Sequence, residues 1–536
     1  MIKKFKQFLL FLITFLLFNS IAFAEIQKVK ISDFSGGMVT NVIEDALGPN
    51  QGASMVNVVL NRPGKISKRK GQALFNQDVG NTAHTGIGRF DPDANTSYLV
   101  IASGVSVARS QSGDTSWTIA NPSNALTTGK NTEFVQANDL LFVLNGTDNT
   151  AWYNGSFWDL STTYPTSPPT ASTGAWLRNY LFLAGATTEN DWVYFSNNLD
   201  PKTFTTGDII KINTGDGQKI QHLEPFRLNE LIIYKERSVF VLDITGSTPL
   251  INWTVQPIST TIGTIAPRSV VSLGNDQWFL SSEPIAIRSL VRSNFDKILL
   301  DFVSAPIQDI IEGTHPVYQL NKNQASKAAS VLFDNKFLMA IATGTSLEND
   351  LVLVYDFISK GWYLITGWAP RDWVVFNNRL YYIDAYDGRV LECFTGNVGD
   401  FASGPSVTPA APTQGIDFTY ISRAIEFDLP ENFKKGDAVE IELSPTGNWN
   451  ANVYINYDSD GWSGIGTVNL AGNSLTLPVT LPAVLDNGGL ARKTFQIQKY
   501  GEFKKMKIMV QNQASGQTVE LNRSTIFADP KPWRRE

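Results

Sequence analysis

The sequence has 536 residues, of which 43% are hydrophobic and 18% charged, and its formal net charge at pH 7 is −6. At ~150 residues per domain this length suits three or four domains, or fewer if one is a large all-β unit, and the composition excludes a wholly disordered or collagen-like chain. The net charge gives no reason to expect tight binding to DNA phosphates. The single cysteine, Cys393, excludes an intrachain disulfide and a Cys-based zinc cluster, and the isolated His84, His222 and His315 leave little for a His-rich metal site.

The first 24 residues have the pattern of a secretory signal. Three lysines precede an apolar run from Phe8 to Phe18, and the small-x-small triplet Ala22-Phe23-Ala24 follows. The run is shorter than the ~20 apolar residues of a membrane-spanning helix, so we expect cleavage after Ala24 and no stable membrane insertion. The pattern indicates export to the periplasm or the extracellular space. An unprocessed leader or an unrelated fusion remains the alternative.

Residues 25–80 are predicted to form an N-terminal arm and the first strands. This segment contains Phe34-Ser35-Gly36-Gly37, then Gly52-Ala53-Ser54-Met55-Val56-Asn57-Val58, and then an element from Gly64 to Gly71 that includes Arg69. Polar and glycine residues predominate between scattered apolar ones. We therefore expect this segment to contact neighbouring molecules as well as the rest of the chain.

Residues 81–397 repeat a theme of a polar turn, an apolar or aromatic strand and a second turn, which predicts an all-β fold. The turn-plus-strand elements recur at intervals of roughly forty to sixty residues, the blade length of a β-propeller, so we predict about six to eight blades. The seven elements are 97–100, Asn138–Phe142, Arg178–Phe182, Leu228–Ile232, Asn275–Phe279, Asp334–Leu338 and Asn377–Tyr381. The tryptophans near the turns are interpreted as packing between blades.

Two stretches within this region are less strand-like. Tyr164 to Pro169 contains three prolines and is predicted to be a loop between blades. Asn294 to Lys327 includes an apolar run from Phe302 to Ile311, which could form a short helix packed on the disc.

Residues 398–415 are rich in Gly, Pro, Ser and Thr and are predicted to be a linker. Residues 416–536 alternate polar and apolar positions, which is typical of half-buried antiparallel strands, and we predict a C-terminal β-sandwich. The predicted strands are Phe418–Ile421, Ala424–Phe427, Val439–Leu443, Asn452–Tyr457, Thr494–Ile497 and Lys507–Val510. Because the linker carries few apolar residues, we expect truncation there to leave two independently folded pieces.

The chain resembles a family of tailed-bacteriophage virion proteins built on a β-propeller. The arm is similar to the family's opening order of a Phe-x-Gly-Gly element, an apolar-Asn element and a Gly-x-apolar-x-x-Arg-x-Gly element. Further similar elements, in the family's order, are Asp208–Ile210 with Gly215–Ile220, Leu231–Phe240, Gly263–Val270 with Trp278–Ser281, Val354–Trp362, Leu380–Tyr382 with Asp387–Val390, and Ala424–Phe427. The resemblance covers nearly everything after the leader.

This resemblance implies a non-enzymatic structural role as a tail nozzle, tail-tube or tail-accessory protein. It implies a virion tail location, other tail or head-to-tail proteins as partners, a homo-oligomeric ring of six copies, and DNA only as passing cargo. The secretory leader departs from the pattern, because virions assemble in the cytoplasm. A later start at Met38 would delete the Phe34–Gly37 element.

No assembled catalytic constellation is visible, so we predict no catalytic residues, no cofactor, no metal site and no enzymatic activity. Ser112–Trp117 fails to match the sialidase turn Ser-x-Asp-x-Gly-x-x-Trp, and no Gly-x-Ser-x-Gly elbow or phosphate loop is present. Asp384–Gly388 could offer oxygens to Ca²⁺, but a turn between strands is the commoner interpretation. The basic tail, Lys531 to Arg535, could contact an acidic partner or DNA, but a solvated terminus is favoured.

One alternative function stays open. A secreted bacterial propeller could bind or cleave glycans, which would require two facing carboxylates over a central pocket. An exposed tryptophan and a carboxylate cluster at the centre of the disc would favour that function.

Overall fold

A computed structural model shows an almost entirely β-structured chain. It describes residues 26–62, 64–76, 83–121, 126–160, 166–246, 249–292, 298–396, 399–401, 412–471 and 490–531. The predicted leader, most of the predicted linker, part of the Tyr164–Pro169 loop and all of the basic tail after Lys531 lie outside the described residues.

Five strands precede the first blade along the chain. They are β1 (Gln27–Ile31), β2 (Gly52–Val56), β3 (Val58–Arg62), β4 (Lys65–Lys68) and β5 (Ala73–Leu74). A short 3₁₀ helix, Glu44–Ala46, lies between the first two.

Seven four-stranded antiparallel units then follow one another and form the blades of a β-propeller, which confirms the predicted fold. Blade 1 consists of β6 (His84–Asp93), β7 (Thr96–Ser103), β8 (Ser106–Ser110) and β9 (Thr118–Ile119), and blade 2 of β10 (Glu133–Ala137), β11 (Leu140–Leu144), β12 (Ala151–Tyr153) and β13 (Trp158–Leu160). Blade 3 consists of β14 (Thr173–Leu177), β15 (Tyr180–Ala184), β16 (Trp192–Phe195) and β17 (Ile209–Lys211). Blade 4 consists of β18 (Ile220–Phe226), β19 (Glu230–Lys235), β20 (Val239–Asp243) and β21 (Thr254–Ser259).

The remaining three blades complete the circle. Blade 5 consists of β22 (Val271–Ser272), β23 (Gln277–Leu280), β24 (Ile287–Arg292) and β25 (Ile298–Phe302). Blade 6 consists of β26 (Ala329–Phe333), β27 (Lys336–Ile341), β28 (Leu351–Asp356) and β29 (Gly361–Thr366). Blade 7 consists of β30 (Pro370–Phe376), β31 (Arg379–Asp384) and β32 (Val390–Glu392), with β5 as its fourth strand. The first strand of each blade packs against the first strands of both neighbouring blades, and β30 of blade 7 packs against β6 of blade 1. The circle is therefore closed.

The seven turn-plus-strand elements predicted from the sequence are the second strands of the seven blades. In several blades the preceding hairpin turn has two residues with positive φ, as in Asp334 (47°) with Asn335 (56°) and Asn377 (50°) with Asn378 (58°). Positive φ at both central residues defines a type I′ turn, which Asn and Asp tolerate better than most residues. The recurring Asn and Asp residues thus mark the hairpin that starts each blade.

The C-terminal region forms the predicted β-sandwich. Its strands are β33 (Phe418–Ser422), β34 (Lys434–Leu443), β35 (Asn450–Tyr457), β36 (Trp462–Asn469), β37 (Ala491–Gln496), β38 (Glu502–Phe503), β39 (Met506–Asn512) and β40 (Glu520–Pro530). The prediction of a strand at Ala424–Phe427 was wrong. Within this segment only Ile425 pairs with another strand, through an isolated bridge to Met506, and Phe427 lies in a turn with a positive φ of 56°.

The sandwich takes strands from both ends of the chain. One sheet has the order β3-β4-β40-β34-β37, with β1 also paired to β40 and β38 to β34. The other sheet continues blade 6 outwards, in the order β26-β27-β28-β29-β2-β33-β39-β35-β36. The segment predicted as an arm is therefore shared, with β1 to β4 in the sandwich sheets and β5 in blade 7.

Helices are few and short. The predicted helix on the disc is present as a 3₁₀ turn, Ala305–Ile307, that leads into an α-helix, Gln308–Glu312. Further 3₁₀ turns are Pro267–Ser269, Lys322–Lys327 and Gln498–Tyr500. Among the described residues, no helix has the length and apolar character needed to cross a bilayer.

One hydrophobic core extends through the arm, blades 5 to 7 and the sandwich. It includes Phe34 of the arm, Trp362 of β29 and Tyr420 of β33, and Phe34 packs edge-on against Tyr420 with ring centroids 5.0 Å apart. In the segment predicted as a linker, Asp400 and Phe401 are buried. We therefore expect propeller and sandwich to depend on each other, in contrast to the independence that the polar linker indicated.

A chain that begins at residue 77 tests this dependence. It lacks β1 to β5, so β32 loses its outer partner and β33 and β40 each lose a neighbouring strand. We expect a lower melting temperature and faster amide exchange at Val390–Glu392 and along β40, measured by hydrogen–deuterium exchange with mass spectrometry. A chain that begins at residue 26 removes no described strand and is the control. Equal protection of β32 in both truncated chains would contradict the expectation.

Candidate functional site

A polar cavity of about 660 Å³ lies on the axis of the propeller. All seven blades contribute to its wall, six of them from the innermost strand and blade 5 from the 3₁₀ turn Pro267–Ser269 before its first strand. The contributing residues, in blade order, are Ile87, Glu133, Gly174, His222, Arg268, Ser330 and Asp372. We refer to this space as the central cavity.

His222 is the centre of a polar chain that links four blades. Its Nδ1 lies 3.6 Å from Glu133 Oε2, and its Nε2 lies 3.2 Å from Glu224 Oε2. The Glu133 carboxylate also accepts hydrogen bonds of 3.1 Å from the Thr173 hydroxyl and the Gly174 amide of blade 3. Ser272 of blade 5 donates to Glu224 at 2.7 Å. The chain of contacts thus crosses from blade 2 to blade 5.

Arg268 links blade 5 to the opposite side of the cavity. Its Nε lies 3.4 Å from Asp372 Oδ2 of blade 7, and its Nη2 donates to the backbone carbonyls of Thr85 in blade 1 and Thr132 before blade 2. Burial raises the pKa of Asp372, and the Arg268 guanidinium opposes that rise. One guanidinium therefore joins four parts of the ring.

The electrostatic balance of the cavity favours a protonated His222. Burial by itself would lower its pKa, but the Glu133 and Glu224 carboxylates outweigh burial and raise the pKa to about 10. The imidazole occupies the space between these two carboxylates. One imidazole therefore links a carboxylate of blade 2 to a carboxylate of blade 4.

The other two histidines lie apart from this cavity. His84 starts β6 and is fully buried, and burial lowers its pKa to about 4. His315 lies in a loop, where its Nδ1 accepts hydrogen bonds from the amides of Val317 and Tyr318. Within the described part of the chain, no three His, Cys, Asp or Glu side chains are grouped so as to hold a metal ion.

The loop considered for Ca²⁺ has a protein cation in place of a metal. Arg389 Nη2 lies 2.6 Å from Asp387 Oδ2 and 3.8 Å from Asp384 Oδ2. The Asp384 carboxylate also accepts the amide of Tyr386, as in a turn. Asp114, in the failed sialidase match, accepts the Gln111 amide at 2.7 Å in an exposed turn between β8 and β9. Both segments therefore have structural partners.

A second polar cluster lies where arm, propeller and sandwich meet, and we call it the Arg69 network (Asn57, Arg69, Thr366, Trp368 and Asp400). The fully buried Arg69 pairs with Asp400 and donates to Asn57 Oδ1 at 2.8 Å and to the Thr366 carbonyl at 2.9 Å. Trp368 Nε1 donates to Asp400 at 3.1 Å, and its ring lies 4.6 Å from the guanidinium carbon. The arm, the end of β29 in blade 6 with the segment after it, and the segment after blade 7 contribute to this cluster.

Asn57 and Arg69 belong to the N-terminal elements on which the family resemblance is based. Two glycines of these elements are needed because backbones approach closely. Gly37 has a φ of +66°, and a Cβ there would lie 2.6 Å from Gly361 Cα; a Cβ on Gly71 would lie 1.9 Å from the Gly399 carbonyl. The elements therefore serve the assembly of the fold.

A propeller element of the resemblance has a similar structural role. Asp216, in the segment Gly215–Ile220, lies 2.7 Å from Nζ of Lys235, whose side chain is fully buried at the end of β19. The Gln218 side chain accepts the Arg237 amide at 2.8 Å. These contacts fix the loop before blade 4 onto its second strand.

The central cluster was not predicted, because its members are far apart in the sequence. His222 and Glu224 alternate along β18 and so face the same side, which was a local signal of a polar strand face. Glu133 lies about ninety residues earlier. Only the closure of the ring brings these side chains together.

No protein-family model matches the chain, and no curated protein matches it. Solved β-propeller structures are similar in fold only. YCF48 from Cyanidioschyzon merolae is 14% identical, with a TM-score of 0.39, over 61% of this chain and 98% of that one. The extracellular domain of the putative hybrid two-component system BT4673 from B. thetaiotaomicron is 10% identical, with a TM-score of 0.42, over 75% of this chain and 45% of that one. BamB from Moraxella catarrhalis is 11% identical, with a TM-score of 0.35, over 62% of this chain and 96% of that one.

Stability should depend on pH through His222. Its pKa of about 10 exceeds the ordinary 6.5, so its stabilising effect is complete below pH 6.5 and is lost as the pH rises towards 10. We expect His222→Gln to lower the free energy of unfolding by about 2 kcal/mol at pH 6, and by less at pH 9.5, in urea titrations. His315→Gln is the control, because the pKa of His315 is lowered. An equal loss at both pH values for His222→Gln would contradict the expectation.

The Arg69 network should be far more sensitive to substitution than an exposed ion pair. Arg69→Met leaves the Asp400 carboxylate buried without its charge partner, so we expect a loss of about 3–5 kcal/mol in the free energy of unfolding. Lys65→Met removes the half-exposed pair with Glu520 at 2.8 Å and should cost under about 1 kcal/mol. Urea denaturation followed by tryptophan fluorescence measures both. Similar losses for the two variants would refute the assigned role of Arg69.

Proposed function

We propose that the protein is a non-enzymatic structural protein of a phage-type tail or head-to-tail junction, which forms part of a DNA-conducting tail or nozzle. In this proposal it is located in the virion tail and works as one subunit of a closed homo-oligomeric ring, a hexamer. Its partners are other tail or head-to-tail proteins, and DNA passes through the ring as cargo.

The Arg69 network is the observation that carries this proposal. The N-terminal elements of the resemblance could have supplied chemistry, but Asn57 and Arg69 are buried and bond to blade 6 and to Asp400. Elements used in this way make one rigid body of three segments. A rigid body is what a subunit needs when it must hold its neighbours in a fixed geometry.

The central cavity supports the same proposal. Five of its charged side chains are paired with each other or with the backbone, namely Glu133, His222, Glu224, Arg268 and Asp372. Catalysis by a carboxylate pair or by a His-based triad would need groups left free to contact substrate. In the described residues, the cavity contains no such arrangement around His222.

One observation favours a second candidate, a secreted propeller that binds glycans. The half-buried Trp176 and the carboxylates Glu133, Glu224 and Asp372 all line the central cavity. An aromatic face beside hydrogen-bonding carboxylates is a common platform for sugar rings. With this function the predicted leader would direct export to the periplasm or the extracellular space.

Two experiments separate these candidates. The chain from residue 25 is purified with the tail proteins encoded beside its gene and imaged by electron microscopy, and we expect rings attached to tails. A monomer in every particle, with no attachment to tails, would contradict the structural role. In parallel, glycan hydrolysis is assayed with the unaltered chain and with Glu133→Gln. We expect no hydrolysis, and activity that this substitution abolishes would establish the enzymatic alternative.

A further inference from the structure

Charge is divided unevenly between the two parts of the molecule. Residues 72–401, which contain all the strands of the seven blades, carry 32 acidic and 21 basic side chains. Residues 26–71 and 402–536, which include the sandwich, carry 17 acidic and 20 basic ones. Propeller-to-propeller contacts between two copies would therefore place like charges together, whereas a propeller meeting a sandwich would not.

The two longest stretches without a charged residue lie one in each part. No charge occurs between Asp243 and Arg268, a run of 24 residues, or between Asp460 and Asp486, a run of 25 residues. The first stretch contains β21, the outermost strand of blade 4, and the second contains β36, the last strand of the nine-stranded sheet. Exposed edge strands usually carry charges that prevent association. Neither of these two strands contains a charged residue of its own.

The β21 edge is the more apolar of the two. Around it, Ile251 is 79% exposed, Leu250 48% and Val255 36%, and Val291 on the adjoining blade 5 is 42% exposed. The first four residues of β21 are all exposed. Large apolar side chains grouped on an uncharged edge are typical of a contact surface.

The β36 edge presents a partly exposed aromatic ring. Trp462 is 39% exposed, and Nζ of Lys507 lies 5.8 Å from the centroid of its ring. Two of its backbone carbonyls already have side-chain donors, from Lys493 to Thr467 and from Tyr500 to Gly464. On β21, Pro257 has no N–H to donate. Contact between these edges would therefore be by side-chain packing and not by an extended hydrogen-bond ladder.

We propose that β21 of one copy packs against β36 of a second copy, with Ile251 and Val255 on one side and Trp462 on the other. Such a contact joins two different surfaces, so it is heterologous and can close into a ring. It rests on the proposed ring-forming function and specifies which surfaces make the ring. It also places the acidic propeller beside the more basic sandwich of the next copy.

Disulfide trapping tests the pairing directly. Val255→Cys and Ser463→Cys are made in separate full-length chains, in which the native Cys393 is buried. Under oxidation we expect covalent dimers when the two variants are mixed and none with either variant alone. Leu199→Cys, exposed to 62% on blade 3, is mixed with Ser463→Cys as the matched control and should give no dimer. Dimers from Val255→Cys alone, or none from the mixture, would overturn the proposal.

Charge insertion provides a second measurement. Ile251→Lys with Val255→Lys should raise the concentration for half-assembly at least tenfold in light scattering, whereas Leu199→Lys should leave it unchanged. Melting temperatures confirm that the variants are folded. If rings still form on tails and the substitutions have no effect on assembly, the β21–β36 contact is refuted and the proposed tail function is not. Trapped dimers that never bind tails would support the contact and contradict the tail function.

Discussion

The buried guanidinium of Arg69 is the constraint on which the rest of the molecule depends. A fully buried charge is tolerated only when a counter-ion and hydrogen-bond acceptors surround it. Its partners come from the arm (Asn57), from the end of blade 6 (Thr366) and from the segment after blade 7 (Asp400). None of these segments can be displaced without leaving polar groups unpaired. These three segments are therefore coupled through a single side chain.

The closure of the propeller follows the same principle of joining distant segments. β5, from the N-terminal region, completes blade 7, and β2 lies between blade 6 and the sandwich. At the axis, His222 and Arg268 connect blades that do not adjoin in sequence. A propeller of seven small sheets gains rigidity from such contacts, because each sheet alone has little core. The chemistry at the axis is used to hold the ring together.

Surface charge complements this internal rigidity. The acidic propeller and the more basic remainder give the subunit a polarity, and uncharged edge strands occur in both parts. In the proposed ring, these two unlike surfaces of neighbouring copies would meet, and contact between two acidic propellers would be avoided. The glycan-binding alternative would use the central cavity instead, and it makes no demand on these edges.

The sequence by itself determined the local structure. The polar turns before apolar strands predicted about six to eight blades and marked the second strand of each of the seven, because a type I′ hairpin leaves a mark within a few residues. Alternation predicted most sandwich strands, and the elements of the resemblance included Asn57 and Arg69. Only the tertiary structure decided that the arm completes both domains, that Ala424–Phe427 is a turn and that Glu133, His222 and Glu224 meet. These features depend on pairings between residues tens to hundreds of positions apart, and no local pattern encodes which distant strand completes a sheet.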